Sequence, residues 1–160
     1  TEGPVCIRYP RTPAAIVHES KVGSGTQARK VRTGDDACIL AVGKMLEPAN
    51  QAAKALEEHG IKCGIWDVRC VSPLDTKMLK DAHRYPIVIT VEDGIVEGGI
   101  GATISSKLSK LESRGPIVKT LGVPTAYIPQ GNAEEILSQL GLDSEGITKA
   151  VLSSTESLQT

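Results

Sequence analysis

The sequence predicts a three-layer α/β/α domain around a mostly parallel sheet of about five strands. Its 160 residues suffice for about one domain with one continuous core. Several continuous apolar runs are typical of strands covered on both faces, and segments with helical spacing separate them. Strands that alternate with helices in this way indicate parallel strands with helices on both sides.

The first 36 residues differ in composition from the rest. Residues 4–7 are apolar and precede Arg8-Tyr9-Pro10-Arg11, which we call the arm. This pattern predicts a short strand that ends at Pro10, because proline cannot continue a ladder. Residues 12–36 are polar, basic and rich in glycine, which favours a linker with at most one weak strand.

The predicted core begins with a strand over 37–42. Leu46 to Leu56 then carry apolar residues at helical spacing, and His59-Gly60 ends that helix with a glycine suited to a left-handed cap. A second strand covers 61–68. Asp75 is the predicted N-cap of the next helix, which closes near His83.

The second half continues the alternation. The strongest strand covers 86–92, and a turn with four glycines leads into a helix over about 102–111. A fourth strand covers 117–121. Two closing helices are predicted over 134–140 and 144–152, and residues 153–160 are expected to form a disordered tail.

Composition excludes several classes of function. The formal net charge of −1 and an aromatic content of 2%, with no phenylalanine, argue against nucleic-acid binding. No run of 18 apolar residues is present, so a membrane span is not expected. The N-terminus lacks the pattern of a signal peptide, which favours a cytoplasmic protein.

The cysteines and histidines do not suggest a metal site. Cys6, Cys38, Cys63 and Cys70 are widely spaced, and the three histidines fall at no ligand spacing. Free thiols, mostly buried in strands, are therefore expected, and a disulfide or zinc site is the alternative.

Three features around the strand ends could carry chemistry. The glycine turn over 94–101 could bind an anion at a helix start, but its spacing departs from a dinucleotide fingerprint, so close backbone packing is the preferred interpretation. Glu92 is expected to cap nearby amides, since it and Asp93 point to opposite faces. Asp67 and Arg69 share a face and are expected to form an ion pair.

The arm is the best candidate for ligand binding. Arg8 and Arg11 are two guanidinium groups on a segment outside the core, and arginine can bind a phosphate or carboxylate with two hydrogen bonds. A solvated basic arm is the alternative.

Several motifs in order carry a family resemblance. They are residues 3–11, Asp67-Val68-Arg69 with Ser72-Pro73-Leu74-Asp75, Val91-Glu92-Asp93-Gly94, Gly98-Gly99-Ile100-Gly101, Leu121-Gly122-Val123-Pro124, Ile128-Pro129-Gln130-Gly131 and Gly141-Leu142-Asp143. The series resembles the C-terminal region of the 1-deoxy-D-xylulose-5-phosphate synthases, thiamine-diphosphate enzymes of the transketolase superfamily. The family usually has glycine where this chain has Thr12, so the turn after the arm is expected to differ locally. Asp93 in place of the common glutamate is a conservative change, and Cys70 in place of a bulky aromatic fits the low aromatic content.

The resemblance implies a transferase that condenses pyruvate and glyceraldehyde 3-phosphate with loss of carbon dioxide, for isoprenoid and thiamine biosynthesis. It places Arg11 on the substrate phosphate, with Arg8 as a weaker candidate. Thiamine diphosphate and Mg²⁺ would be bound by other domains, and no cofactor, metal or catalytic residue is expected within this chain. The chain alone is therefore expected to be inactive.

The resemblance also sets the expected domain boundaries and partners. Residues 1–17 would be the last strand and arm of a preceding thiamine-binding domain, 18–36 a linker, and 37–152 the transketolase C-terminal-like domain. The expected partners are the preceding domains of the same chain, a second copy in a homodimer and small-molecule substrates. The alternatives are the β-subunit of a 2-oxoacid dehydrogenase, or a non-catalytic dimerisation or anion-binding module.

Overall fold

A computed structural model describes residues 2–7, 25–111 and 114–159. Within these residues, five strands form one sheet: β1 (Arg29–Arg32), β2 (Ala37–Ala41), β3 (Cys63–Asp67), β4 (Ile87–Ile95) and β5 (Ile117–Val123). The α-helices are α1 (Leu46–Glu58), α2 (Thr76–Ala82), α3 (Ile100–Leu108), α4 (Ala133–Gln139) and α5 (Ser144–Gln159). A short 3₁₀ turn, Gly43–Met45, precedes α1.

The sheet has the order β1-β3-β2-β4-β5. The neighbours among β2 to β5 are parallel, whereas β1 runs antiparallel to β3 at one edge. Strands β3 and β1 therefore lie on one side of β2, and β4 and β5 lie on the other side. The predicted mostly parallel α/β/α architecture is confirmed.

Apolar side chains from both faces of the sheet make two buried clusters. One face packs against α1 and α5, with Ile39, Ile65 and Ile89 at its centre. The other packs against α2 and α3 and includes Leu40 and Trp66. Because both faces are covered, the central strand β2 is apolar at every position and β4 begins with an apolar run, which is why the sequence shows continuous apolar runs there.

Two local predictions about helix ends are confirmed. Gly60 has φ +74° directly after the first helix, as a left-handed cap requires. Asp75 is the N-cap of α2, and its carboxylate accepts hydrogen bonds from the amides of Lys77 and Met78.

The predicted linker of 18–36 allowed one weak strand, and β1 lies there as a short edge strand of the sheet. The predicted tail differs from the structure. Helix α5 continues to Gln159, so the described residues of the predicted tail over 153–160 are helical. In that last part, Ser154 and Thr155 donate to carbonyls one turn earlier, at Ala150 and Val151. The hydroxyls of these residues are thus satisfied within the helix, which continues although a frayed end was expected at this terminus.

The structure describes only part of the predicted N-terminal strand. Residues 4–7 form no strand, and Val5 and Ile7 are 63% and 78% exposed. Residues 8–10, where that strand was expected to end, lie outside the described residues.

The cysteines give a prediction that alkylation can check. Cys38 and Cys63 are buried free thiols on neighbouring strands, whereas Cys6 is exposed and Cys70 is half-buried. Burial raises the pKa of the Cys63 thiol to about 12 and also raises that of Cys38, so neither forms the reactive thiolate at neutral pH. We expect a thiol reagent to modify Cys6 first and Cys70 more slowly.

The measurement is mass spectrometry of the native chain during modification, with a urea-unfolded sample as the control. Modification of all four cysteines is expected only in the unfolded sample. Rapid labelling of Cys38 or Cys63 in native protein would contradict the packing of the sheet.

Candidate functional site

The two predicted phosphate ligands, Arg8 and Arg11, lie outside the described residues. Their role stays a prediction. The other predicted features surround the carboxyl ends of β3 and β4, where α/β proteins commonly place functional groups.

The glycine turn after β4 is occupied by a carboxylate of the same chain. Glu92 is only 8% exposed, and its two oxygens accept hydrogen bonds from Ile100 N at 3.3 Å and Gly101 N at 2.9 Å. The carboxylate therefore takes the place at the start of α3 that an anionic ligand would occupy. The prediction that Glu92 caps nearby amides is confirmed.

The glycines of this turn allow close packing within the domain. A Cβ atom on Gly99 would lie 2.2 Å from Ile95 O and 2.6 Å from a Glu92 oxygen. A Cβ on Gly101 would lie 2.5 Å from Thr90 Oγ1. Side chains at these positions would displace the carboxylate or the strand, so the preferred interpretation of the glycines as packing residues agrees with the geometry.

Asp93 has a different environment from Glu92. It pairs with Lys44, the two charged atoms being 3.0 Å apart, and both side chains are about half exposed. Lys44 follows β2 and Asp93 lies in β4, so the pair joins the ends of two neighbouring strands. Two adjacent carboxylates thus have separate structural partners.

The predicted ion pair between Asp67 and Arg69 is wrong. Asp67 pairs with Arg29 of β1, at 3.3 Å. The backbone of Arg69 has φ +59°, a value that residues other than glycine rarely adopt. The Arg69 guanidinium donates a hydrogen bond to Gln27 O at 3.3 Å. Both residues therefore contact the chain around β1, which spacing along the sequence could not reveal.

A second polar cluster joins β1 to α2. Lys30 Nζ is 2.6 Å from Asp81 Oδ2, which also accepts from Trp66 Nε1 at 2.8 Å. The same ammonium group lies 5.7 Å from the Trp66 ring and 5.9 Å from the Tyr85 ring. Burial alone would raise the pKa of Asp81, but the hydrogen bonds from Lys30 and Trp66 lower it. The sequence analysis did not predict this cluster, because Lys30 and Trp66 are distant in the chain from each other and from Asp81.

The described residues hold polar groups that position the chain. Within residues 2–7, 25–111 and 114–159 there is no group of three or more His, Cys, Asp or Glu side chains that could hold a metal ion. In the same part of the chain, no helix is long and apolar enough to cross a membrane. The hydrogen bonds and ion pairs around the ends of β3 and β4 support a structural role for the charged residues described above.

Comparison with known protein families gives a clear match. The model of the family described as "Transketolase, C-terminal domain" matches residues 26–147. Its first matched residues include β1, which agrees with the place of that strand in the sheet.

Curated relatives share about the same level of identity over nearly the whole chain. The 1-deoxy-D-xylulose-5-phosphate synthase of Magnetococcus marinus is 38% identical over 90% of this chain and 24% of its own length. The enzymes of the same name from Synechococcus sp. and Aquifex aeolicus are 36% and 40% identical, over 99% and 92% of this chain. The chain spans about a quarter of the length of these relatives.

Solved structures agree with the fold. A structure titled "Split gene transketolase, inactive beta4 tetramer" has a TM-score of 0.79 and 27% identity, over 88% of this chain and 46% of that one. A Pichia stipitis transketolase has a TM-score of 0.60 at 16% identity, over 84% of this chain and 18% of that one, which shows the shared fold. The family match, the relatives and the sheet topology agree: this chain belongs to the transketolase C-terminal domain family.

Proposed function

We propose that this chain is the C-terminal part of a 1-deoxy-D-xylulose-5-phosphate synthase. The parent enzyme would join pyruvate to glyceraldehyde 3-phosphate with loss of carbon dioxide, to give 1-deoxy-D-xylulose 5-phosphate. The observation that carries the proposal is the 36% identity to the Synechococcus synthase over 99% of this chain. The named relatives favour this enzyme over the β-subunit of a 2-oxoacid dehydrogenase.

The same alignment supports a role for the arm. The matched family domain begins at residue 26, but the alignment to the Synechococcus enzyme leaves out only about 1% of the chain. Residues 8–11 therefore fall within the aligned region, so the relative has residues that correspond to the arm. A segment shared with a synthase beyond the domain itself fits a contribution to that enzyme's substrate site.

The cofactors of the proposed enzyme would be bound elsewhere. When bound in the parent enzyme, thiamine diphosphate together with Mg²⁺ would supply the electron sink for the decarboxylation of pyruvate. The described residues of this chain offer no cluster of metal ligands, and the start of α3 is already occupied by Glu92. We therefore assign both cofactors to the rest of the parent protein, and expect this chain alone to be inactive.

The folded domain would then serve assembly. The split-gene transketolase chain with the same fold is described in its title as a tetramer, which supports self-association of domains of this kind. We propose that the parent enzyme is a cytoplasmic homodimer and that this domain contributes to its subunit contacts.

The proposed role of Arg11 is to bind the phosphate of glyceraldehyde 3-phosphate. A planar guanidinium can donate two parallel hydrogen bonds to phosphate oxygens, and its charge persists at all physiological pH values. Pyruvate has no phosphate group. Arg11 should therefore affect the two substrates unequally.

Replacing Arg11 by alanine in the full-length protein tests this role. Loss of a charge-assisted hydrogen bond costs about 1.5–3 kcal/mol, so we expect the KM for glyceraldehyde 3-phosphate to rise roughly 10- to 100-fold. The KM for pyruvate should stay within about twofold, since no phosphate contact is lost. Steady-state kinetics with each substrate varied in turn measure both values.

Two matched variants serve as controls. Arg11→Lys keeps the charge but loses the bidentate geometry, so its KM should lie between those of the wild type and Arg11→Ala. Arg8→Ala removes the neighbouring, weaker candidate and should have a smaller effect. Equal changes in the KM values of both substrates for Arg11→Ala would remove Arg11 from the phosphate site.

A further inference from the structure

The two edges of the sheet differ in how they are protected. Strand β1 is four residues long with the sequence Arg-Lys-Val-Arg, and its register shifts between Lys30 and Arg32. Short length, charge and a bulge are the features by which natural edge strands avoid pairing with other chains. Strand β5, at the opposite edge, is seven residues long and keeps a regular register with β4 from Ile117 to Leu121. The β5 edge is therefore long and regular, as an edge that accepts another strand must be.

The one charged side chain of β5 lies away from its open edge. Lys119 Nζ donates to Ser153 Oγ of α5 at 3.1 Å, so this side chain follows the face of the sheet that α5 covers. Every residue of β5 is at least partly exposed, whereas β4 is buried from Ile87 to Glu92. Strand β5 thus combines the apolar composition of an inner strand with the exposure of an edge strand.

The hydrogen bonds to β4 determine which backbone groups of β5 point outward. Ile117 N donates to Pro86 O, and Val123 O accepts from Val96 N, both at 2.9 Å. Successive residues of a strand direct their backbone groups to alternate sides. The groups that point away from β4 therefore belong to three residues: Val118, Thr120 and Gly122. Among the residues that the structure describes, none forms a hydrogen bond to these N–H and C=O groups.

Two copies of β5 can satisfy these groups by pairing antiparallel around a two-fold axis at Thr120. Thr120 would then pair with Thr120 of the second copy, and Val118 would pair with Gly122 in both directions. Residues paired in this way exchange two hydrogen bonds, so every outward N–H and C=O group obtains a partner. Lys119 would stand opposite Leu121, so like charges would not face each other. The strand is therefore complementary to itself, as the contact in a two-fold homodimer requires.

The surface beside β5 leaves room for a second copy. A groove of about 340 Å³ lies between α3 and the start of β5. It is lined by Ser105, Leu108, Ser109, Gly115, Pro116 and Val118. The serines and the glycine are small, so no bulky side chain stands between the outer side of α3 and an added strand.

We propose that β5 binds β5 of a second copy of this chain and joins the two five-stranded sheets into one continuous sheet. The proposal rests on the role in assembly proposed above and identifies the surface that serves it. Main-chain hydrogen bonds supply the affinity of such a contact. The pairing of threonine with threonine and of valine with glycine on one face fixes its register.

Hydrogen exchange of single amides tests the contact in the 160-residue chain. In the dimer, the outward amides of Val118, Thr120 and Gly122 should exchange as slowly as those of Lys119 and Leu121, which face β4. Dilution to the monomer should speed exchange of the outward amides about tenfold or more and leave the other two unchanged. Fast exchange of the outward amides at every concentration would overturn the proposal. Slow exchange in protein that sediments as a monomer would also overturn it, because another group of the same chain would then bond them.

Thr120→Pro removes the amide at the centre of the contact. The N–H of Thr120 faces away from β4, so proline removes no hydrogen bond within the sheet of one copy. We expect the dissociation constant of the dimer, measured by analytical ultracentrifugation, to rise about tenfold or more, because both bonds of the central pair are lost. A wild-type chain that stays monomeric, or an unchanged dissociation constant in Thr120→Pro, would overturn the proposal.

Thr120→Val is the matched control. It keeps the amide and the branched shape of the side chain, so its dissociation constant should stay within about threefold of the wild type. Weakening equal to that in Thr120→Pro would show that the main-chain bond is not responsible and would count against the contact. Should Thr120→Pro fail to fold, the alternating exchange pattern of the wild type decides by itself.

The full-length protein separates this proposal from the proposed function. Dissociation of its homodimer that increases about tenfold in Thr120→Pro would support the β5 contact. If this variant dimerises as tightly as the wild type, the β5 contact is wrong and the assembly role depends on another surface. If the full-length wild type is a monomer, the proposed homodimer is wrong as well. The assignment as a synthase is tested separately, by the kinetics of Arg11→Ala.

Discussion

Gly34→Ala is expected to lower the free energy of unfolding by about 3 kcal/mol or more, at the upper end of the usual cost of overpacking. A Cβ atom at this position would lie 2.4 Å from Cys63 C and 2.5 Å from both Gly64 N and Lys62 O. All three are backbone atoms at the start of β3, so no side-chain rotation can make room. Thermal unfolding should show a melting temperature lower by about 10 °C.

The surrounding hydrogen bonds explain why the backbone cannot move aside. The amides of Asp35 and Asp36 both donate to Lys62 O at 3.1 Å, and Lys62 N donates to the Asp36 carboxylate at 2.7 Å. These bonds hold the start of β2 against the start of β3, where Ala37 pairs with Cys63. A shift at residue 34 would therefore break the register of the two strands.

Gly131→Ala is the matched control for this prediction. Its Cβ would have its nearest contact at 3.5 Å, to the flexible end of Ile136. We expect a change of less than about 1 kcal/mol, since alanine reduces the freedom of the unfolded chain without a clash. Similar losses of stability in Gly34→Ala and Gly131→Ala would show that the close approach at Gly34 is not the cause.

The sequence predicted the parts of the fold that depend on local chemistry. The continuous apolar runs identified the strands that both helix layers cover, such as Ala37–Ala41. Asp75 and Gly60 marked helix ends because capping depends on residues within a few positions. The family motifs then predicted the fold that the comparisons support.

Contacts between distant parts of the chain could not be predicted in the same way. The polar and basic composition around β1 predicts a linker with at most one weak strand, yet the side chains of β1 pair with acidic residues 25 to 51 positions away. Spacing along the sequence pairs Arg69 with its near neighbour Asp67, but Arg69 contacts Gln27 and Asp67 contacts Arg29 instead. Charge alone does not specify which acidic residue a basic residue will contact, so the sequence could not predict these partners.

The candidate phosphate site depends on the family resemblance in a way that the fold does not. Arg11 follows from the motif around it, and it lies outside the described residues. Glu92, in contrast, was predicted to cap amides from its place at a strand end beside a glycine turn, and the structure shows those bonds. The difference arises because a cap is satisfied within one domain, whereas a substrate site needs groups from other parts of the enzyme.

Glu92→Ala is expected to destabilise the domain by about 3 kcal/mol, because two amides at the start of α3 lose a charged acceptor in a buried place. Glu92→Gln keeps one oxygen acceptor but loses the charge and turns the second oxygen into a donor, so we expect roughly half that loss. Glu97→Ala, which changes an exposed glutamate on the same turn, should stay within about 0.5 kcal/mol of the wild type. Urea unfolding of the four proteins measures this order.

The same variants test whether the Glu92 carboxylate occupies the anion position at the start of α3. Removing the Glu92 carboxylate would free the amides of Ile100 and Gly101 at a helix start, where sulfate or phosphate can bind. Sulfate, compared with chloride at equal ionic strength, should therefore stabilise Glu92→Ala more than it stabilises Glu97→Ala, by mass action on the folded state. Equal stabilisation of both variants by sulfate would mean that the carboxylate does not occupy an anion position. In the urea experiment, a Glu92→Ala variant as stable as Glu97→Ala would show that α3 does not depend on this cap.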